Sequence, residues 1–198
     1  MRKYIFIFLV LLLILAINCK DVLVYYPIPL KSTAPEFDIQ TAGGSYNITI
    51  PLDLAIYFKD LEKKLIEDYG VSFDDVDRVI VEGATFTILQ TDADVTITGS
   101  VNIGYGIDSQ QFMALDDVSL NDILNIPQMG ALTPEGVSLL NQAMEDYLAM
   151  GGQSIRISLN TNGTITSGTS GNARFIMLLE FTITTVIKKR QEVFDPLG

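Results

Sequence analysis

The chain has 198 residues, a formal net charge of −11, one cysteine, and neither histidine nor tryptophan. Without histidine, Ser-His-Asp and Cys-His catalysis and the usual Cys/His zinc sites are excluded. The acidic balance repels phosphate backbones, which argues against nucleic-acid partners and against docking on anionic lipid headgroups through the protein itself.

Met1-Arg2-Lys3 is followed by an apolar run, Ile5 to Ile17, then Asn18, Cys19 and the polar pair Lys20-Asp21. A charged start, an apolar run in the range of roughly 7–15 residues and an abrupt polar exit read as a secretory signal peptide. The run falls short of the ~20 residues that span a bilayer comfortably. Cys19 sits where cleavage is expected. Leu15-Ala16-Ile17-Asn18-Cys19 resembles the lipobox of bacterial lipoproteins, departing from it at Ala16, where Leu is preferred, and at Asn18, where Gly, Ala or Ser is preferred.

The resemblance covers only this first stretch. It implies that residues 1–18 are removed and that Cys19 is lipidated, palmitate-type chains then tying the mature protein to the membrane. Several acyl chains on one residue anchor far better than one, since each buried methylene contributes ~0.8 kcal/mol. Lys20 in second place, where Asp would favour the inner membrane, implies the outer one. The alternatives are a simple signal peptide cleaved nearby or an uncleaved anchor. Loss of Arg2 and Lys3 takes the charge from −11 to −13. With Cys19 lipidated no disulfide can form, so residues 19–198 must fold as a single domain on an apolar core alone.

Val22 to Leu30 is apolar and β-branched where lipoproteins often carry a polar tether, so it reads as a first strand placing the domain close to the membrane. Pro27 and Pro29 suit an edge. A short strand over 37–40, a break at Gly43-Gly44 and a strand over 46–50 follow. Leu54, Phe58, Leu61, Leu65 and Tyr69 form a helical stripe with Asp53 as N-cap and Gly70 as C-cap. Arg78–Gln90 and Asp94–Tyr105 read as strands joined into a hairpin by Thr91-Asp92-Ala93. In the second, Val95, Ile97, Gly99, Val101, Ile103 and Tyr105 face inward, and Thr96, Thr98, Ser100, Asn102 and Gly104 face water. Residues 107–132 are mixed, with a short helix over 120–124.

Thr133-Pro134-Glu135 opens a second helix with Val137, Leu140, Met144, Tyr147 and Leu148 inward, ended by Gly151-Gly152. A strand over 154–160 leads to a flexible Gly/Thr/Ser segment over 162–172, with a weak strand at 164–166. Arg174–Ile187 is a long strand, apolar on both faces at Phe175–Leu179 and hence central. Lys188-Lys189-Arg190 reads as a solvated terminus. The expected fold is mainly β (α+β): an antiparallel β-sandwich-like domain with two amphipathic helices packed on it.

Chemistry-bearing motifs are scarce. Gly104-Tyr-Gly106 lacks a third glycine at Ser109 and a βαβ setting. Gly168-Thr-Ser170-Gly171 is one residue short of a nucleophile elbow. Asp74-Asp75-Val-Asp77 and Asp92-Ala-Asp94 offer oxygens to calcium but match no calcium loop, and turns favour Asp for its own backbone bonds. The reading is no enzyme, no cofactor and no metal. It expects a lipid-anchored envelope module, non-catalytic, that binds an envelope protein partner or has a structural role. The alternative is a carrier of lipids or other apolar small molecules in the periplasm, resembling tubular lipid-binding proteins only in its loose order of helices and strand pairs.

Overall fold

The computed structural model describes residues 19–33, 36–168 and 171–194. The expected signal peptide, residues 1–18, lies outside the described residues. Among the described residues, ten strands form two five-stranded antiparallel sheets, with two helices packed against them. The domain is thus the expected sandwich-like α+β fold.

In the first sheet the spine is β10 (Arg174–Phe194). Along one side of it runs β1 (Cys19–Thr33), from the Cys19–Phe194 pair to Thr33–Glu180. The same edge is continued by β2 (Phe37–Gln40), which ends at Gln40–Arg174. On the other side lies β4 (Val76–Thr91), with β7 (Gln128–Met129) beyond it. The β10 centre is therefore interior, as its two-faced apolar run requires. Pro27 and Pro29 sit on the edge strand; having one parity, their missing N–H groups fall on one side, which an edge strand can leave unpaired.

The second sheet is ordered β3 (Ser45–Asp53), β9 (Arg156–Gly168), β5 (Val95–Tyr105), β6 (Asp108–Ser119) and β8 (Ala131–Leu132). A two-residue loop, Gly106-Ile107, with Gly106 at φ 63°, makes β5 and β6 a hairpin. Rings lock the layers together edge to face: Tyr46 on Phe175 and Phe112 on Phe181, each with centroids 5.6 Å apart.

The expected β4–β5 hairpin is not formed. The turn carries the chain from the first sheet into the second, where β5 pairs with β6 and β9. Asp92 fixes this corner: its N–H donates to the Arg174 carbonyl at 3.0 Å, and its carboxylate accepts from the Arg174 N–H at 2.7 Å. The expected helix over 120–124 is a turn, and the flexible segment over 162–172 is largely the continuing β9.

The first helix, α1 (Leu54–Tyr69), starts where Asp53 accepts from Ala55 N–H at 3.0 Å and stops at Gly70 in the left-handed region, φ 63°. It buries Leu54, Phe58, Leu61 and Leu65, while Tyr69, expected inside, is 48% exposed beyond the end of the packed stripe. The second helix, α2 (Pro134–Ala149), is capped by Thr133, whose hydroxyl accepts from Gly136 N–H at 3.2 Å and also contacts the Gln111 carbonyl. It buries Leu139, Leu140, Ala143, Met144 and Tyr147 across β4, β5 and β6, closing one side of the sandwich. Phe58 stacks on Tyr147 at 4.7 Å, and Phe73, from a 3-10 turn, meets both rings at 5.9 Å. Burying each such side chain contributes roughly 1.5–3 kcal/mol.

Candidate functional site

Cys19 is the first residue of β1, paired with Phe194. The cysteine expected to carry lipid thus lies within a regular strand.

The acidic motifs lie at a turn and at a corner between the sheets. Ser72 caps the 3-10 turn that contains Asp74 and Asp75, its hydroxyl accepting from Asp74 N–H at 3.3 Å, and Asp92 holds the corner described above. Among the described residues, no three His, Cys, Asp or Glu side chains converge as a metal site. Asp38 forms an exposed two-point pair with Arg174, at 2.9 and 2.6 Å. Hydrogen bonding to that guanidinium holds the Asp38 carboxyl below its usual range. Exposed pairs of this kind contribute little stability.

Between the helices and the sheets lies an apolar crevice of about 30 Å³, lined by Phe58, Leu61, Leu140, Met144, Phe181 and Ile183 among others. This is where the carrier alternative would place a ligand. The apolar stripes on both helices largely pack on one another and on the sheets.

The most organised polar surface is the outer face of the second sheet. Register sets Asn47, Asn162 and Ser100 in one row across β3, β9 and β5, and Thr49, Asn160 and Asn102 in the next. Ser45, Thr164 and Thr98 form a third row. None of these side chains is charged. Asn160 is the hub: its amide N–H groups donate to Asn47 Oδ1 at 2.6 Å and Thr49 Oγ1 at 2.9 Å. Its oxygen accepts from Asn162 at 2.9 Å and Asn102 at 3.3 Å. Asn102 also donates to Ser100 Oγ at 3.2 Å. Charge appears at the rim, where Asp117 meets the Thr98 hydroxyl at 3.1 Å.

Sequence alternation found the β5 part of this face. The strand expected over 154–160 also carried Asn160, but the β9 part from Asn162 on was missed because Asn162-Gly-Thr has loop composition, although Thr164 to Thr166 did signal a strand.

No protein-family model and no curated protein matches the chain. Among solved structures, a chain of "Structure of infectious bursal disease virus Gx strain" superposes with a TM-score of 0.29 at 14% identity. That match covers 90% of this chain and 46% of the viral one, so the chain spans under half its length. A superposition that slight carries no argument. What the fold defines is a class alone, an antiparallel α+β sandwich.

Proposed function

We propose that the chain is a bacterial envelope lipoprotein that acts as a non-catalytic binding or structural module. It is cut before Cys19, lipidated there, and held at the outer membrane in preference to the inner one. The observation that carries the module reading is the uncharged Asn/Ser/Thr face of the second sheet. On a chain of net charge −11, such a face can meet an envelope protein partner without desolvating ions. Its mutual hydrogen bonds hold the side chains in place, so less ordering remains to be done on contact. Anchoring is supported by the apolar run ending at Ile17, two residues before Cys19.

The carrier alternative requires room. Pockets for small molecules usually run to roughly 300 Å³ or more, and the crevice holds about 30 Å³, which weighs toward the module.

The anchoring is tested by expressing the full chain in a bacterial host and measuring the mass of its N-terminal peptide. Cys19 bearing acyl chains as the first residue is expected, with Cys19→Ser leaving the chain unprocessed. An unmodified Cys19 in the soluble envelope fraction contradicts the reading.

A further inference from the structure

The β1–β10 pair outruns the rest of its sheet. β4 leaves β10 at the Val76–Ile187 pair, but β1 and β10 go on pairing to Cys19–Phe194. Residues 188–194 thus belong to a two-stranded ribbon roughly 20 Å long at the usual rise. Two strands alone are marginal in water, and this ribbon bares apolar side chains on both faces: Leu23 is 44% and Tyr25 49% exposed on one, Val22 43% and Tyr26 38% on the other. Directly paired residues share a face. The register therefore puts Tyr25 beside Lys188 and Leu23 beside Arg190 on one face, and Val24 beside Lys189 on the other. All three cations are exposed.

We propose that this ribbon is a membrane-contact surface, lying along a bilayer that carries anionic headgroups, seated on its Leu23–Tyr25–Lys188–Arg190 face. The inference rests on the anchoring at Cys19 proposed above and adds how the domain sits. Cys19, two residues past the apolar run, stands in the last described pair of the ribbon, so lipid on it brings this end to the bilayer. An upright ribbon would hold Lys188 about 20 Å from the lipid, well past the ~8 Å over which charges act at physiological salt. Lying flat brings Lys188 and Arg190 against headgroups. It also puts Leu23 and Tyr25 in the interfacial layer, where tyrosine is enriched and long cationic side chains keep their charge in the polar zone.

The net charge of the chain does not oppose this, because only nearby charge acts within the screening length. Residues 19–26 and 187–194 carry Lys20, Lys188, Lys189 and Arg190 against Asp21 and Glu192.

The test is hydrogen exchange on the full chain, purified in detergent and reconstituted into vesicles of phosphatidylcholine alone or with one part in four phosphatidylglycerol. Peptides over 19–26 and 187–194 are expected to exchange about five-fold slower on the anionic vesicles, from added contact near a charged surface. Lys188→Glu with Arg190→Glu should abolish the slowing, and Lys189→Glu alone should leave most of it, with β5 and β9 peptides unchanged throughout as a fold control. Equal exchange on both vesicles by protein that still floats with them overturns the contact surface and leaves the anchor standing. Protein that floats with neither overturns both. Slowing in detergent that grows with protein concentration makes the ribbon a contact between copies and overturns the membrane assignment.

Discussion

Tyr46 on β3 lies across Gly163 on β9, so closely that a Cβ at Gly163 would stand 2.7 Å from Tyr46 Cζ. The ring reaches on to Gly99 of β5, where a Cβ would stand 2.7 Å from the phenol oxygen and 2.8 Å from Gly163 Cα. One aromatic side chain thus fills the space of two absent ones beneath the uncharged face, and the glycines let it lie flat.

Gly99→Ala and Gly163→Ala should therefore each destabilise the protein by about 1–3 kcal/mol, the usual cost of overpacking. Gly83→Ala is the control, since its Cβ would meet nothing nearer than Thr182 Cβ at 3.7 Å. Urea midpoints measure all three, and Gly83→Ala should be near neutral.

The Tyr46 hydroxyl is buried, and among the described residues neither it nor the buried Thr161 hydroxyl has a partner at full hydrogen-bond geometry. Burial pushes the phenol up to about 12, opposed by the nearby Thr161 hydroxyl. A phenol raised from 10 to about 12 on folding stabilises the fold fully below pH 10. That contribution is lost as pH climbs from 10 to 12, because the unfolded chain releases its proton first. Tyr46→Phe keeps the ring and removes an unsatisfied hydroxyl. It should be neutral to about 1 kcal/mol stabilising at pH 7 and should flatten the alkaline fall in a series of urea melts. Tyr46→Ala should cost about 3–5 kcal/mol through the cavity it leaves.

Asp53 both caps α1 and accepts from Ser154 Oγ at 2.6 Å, joining the helix start to the approach to β9. Asp53→Ala should cost about 1 kcal/mol and Asp53→Asn much less, since asparagine caps nearly as well. Thermal melts compare the two.

Asn160 holds the uncharged face together by donating to Asn47 and Thr49. Asn160→Asp removes those donors and sets a carboxylate against the Asn47 oxygen, so a loss of about 1–3 kcal/mol is expected. A shift in urea midpoint with unchanged slope would confirm that the effect is local.

The helices were legible because their ends are written in the sequence: Asp53 and Gly70 bound one, Thr133-Pro134 and Gly151 the other. The β5 alternation showed both its buried and its wet face. Strand partners were not legible, since the alternation of β4 and β5 fits a hairpin as well as a corner between sheets, and only Asp92 meeting Arg174, 82 positions on, decides it. β6 was hidden because its first residues, Asp108-Ser-Gln-Gln, are polar on both faces, and Asp117 at φ 46° interrupts its regular course. Gly163 read as a loop residue, yet it is the floor on which Tyr46 rests. The outer face was half visible for the same reason: its β5 rows alternate cleanly, whereas β9 beyond Asn160 is spelled in turn-forming residues.

Native mass spectrometry on residues 20–198, produced without detergent and keeping every described element but its first residue, tests the module reading most directly. The account predicts the mass of the bare chain or a whole multiple of it. Extra mass equal to one or two lipids, released on denaturation, would contradict it and make the crevice between helices and sheets the binding site of a carrier.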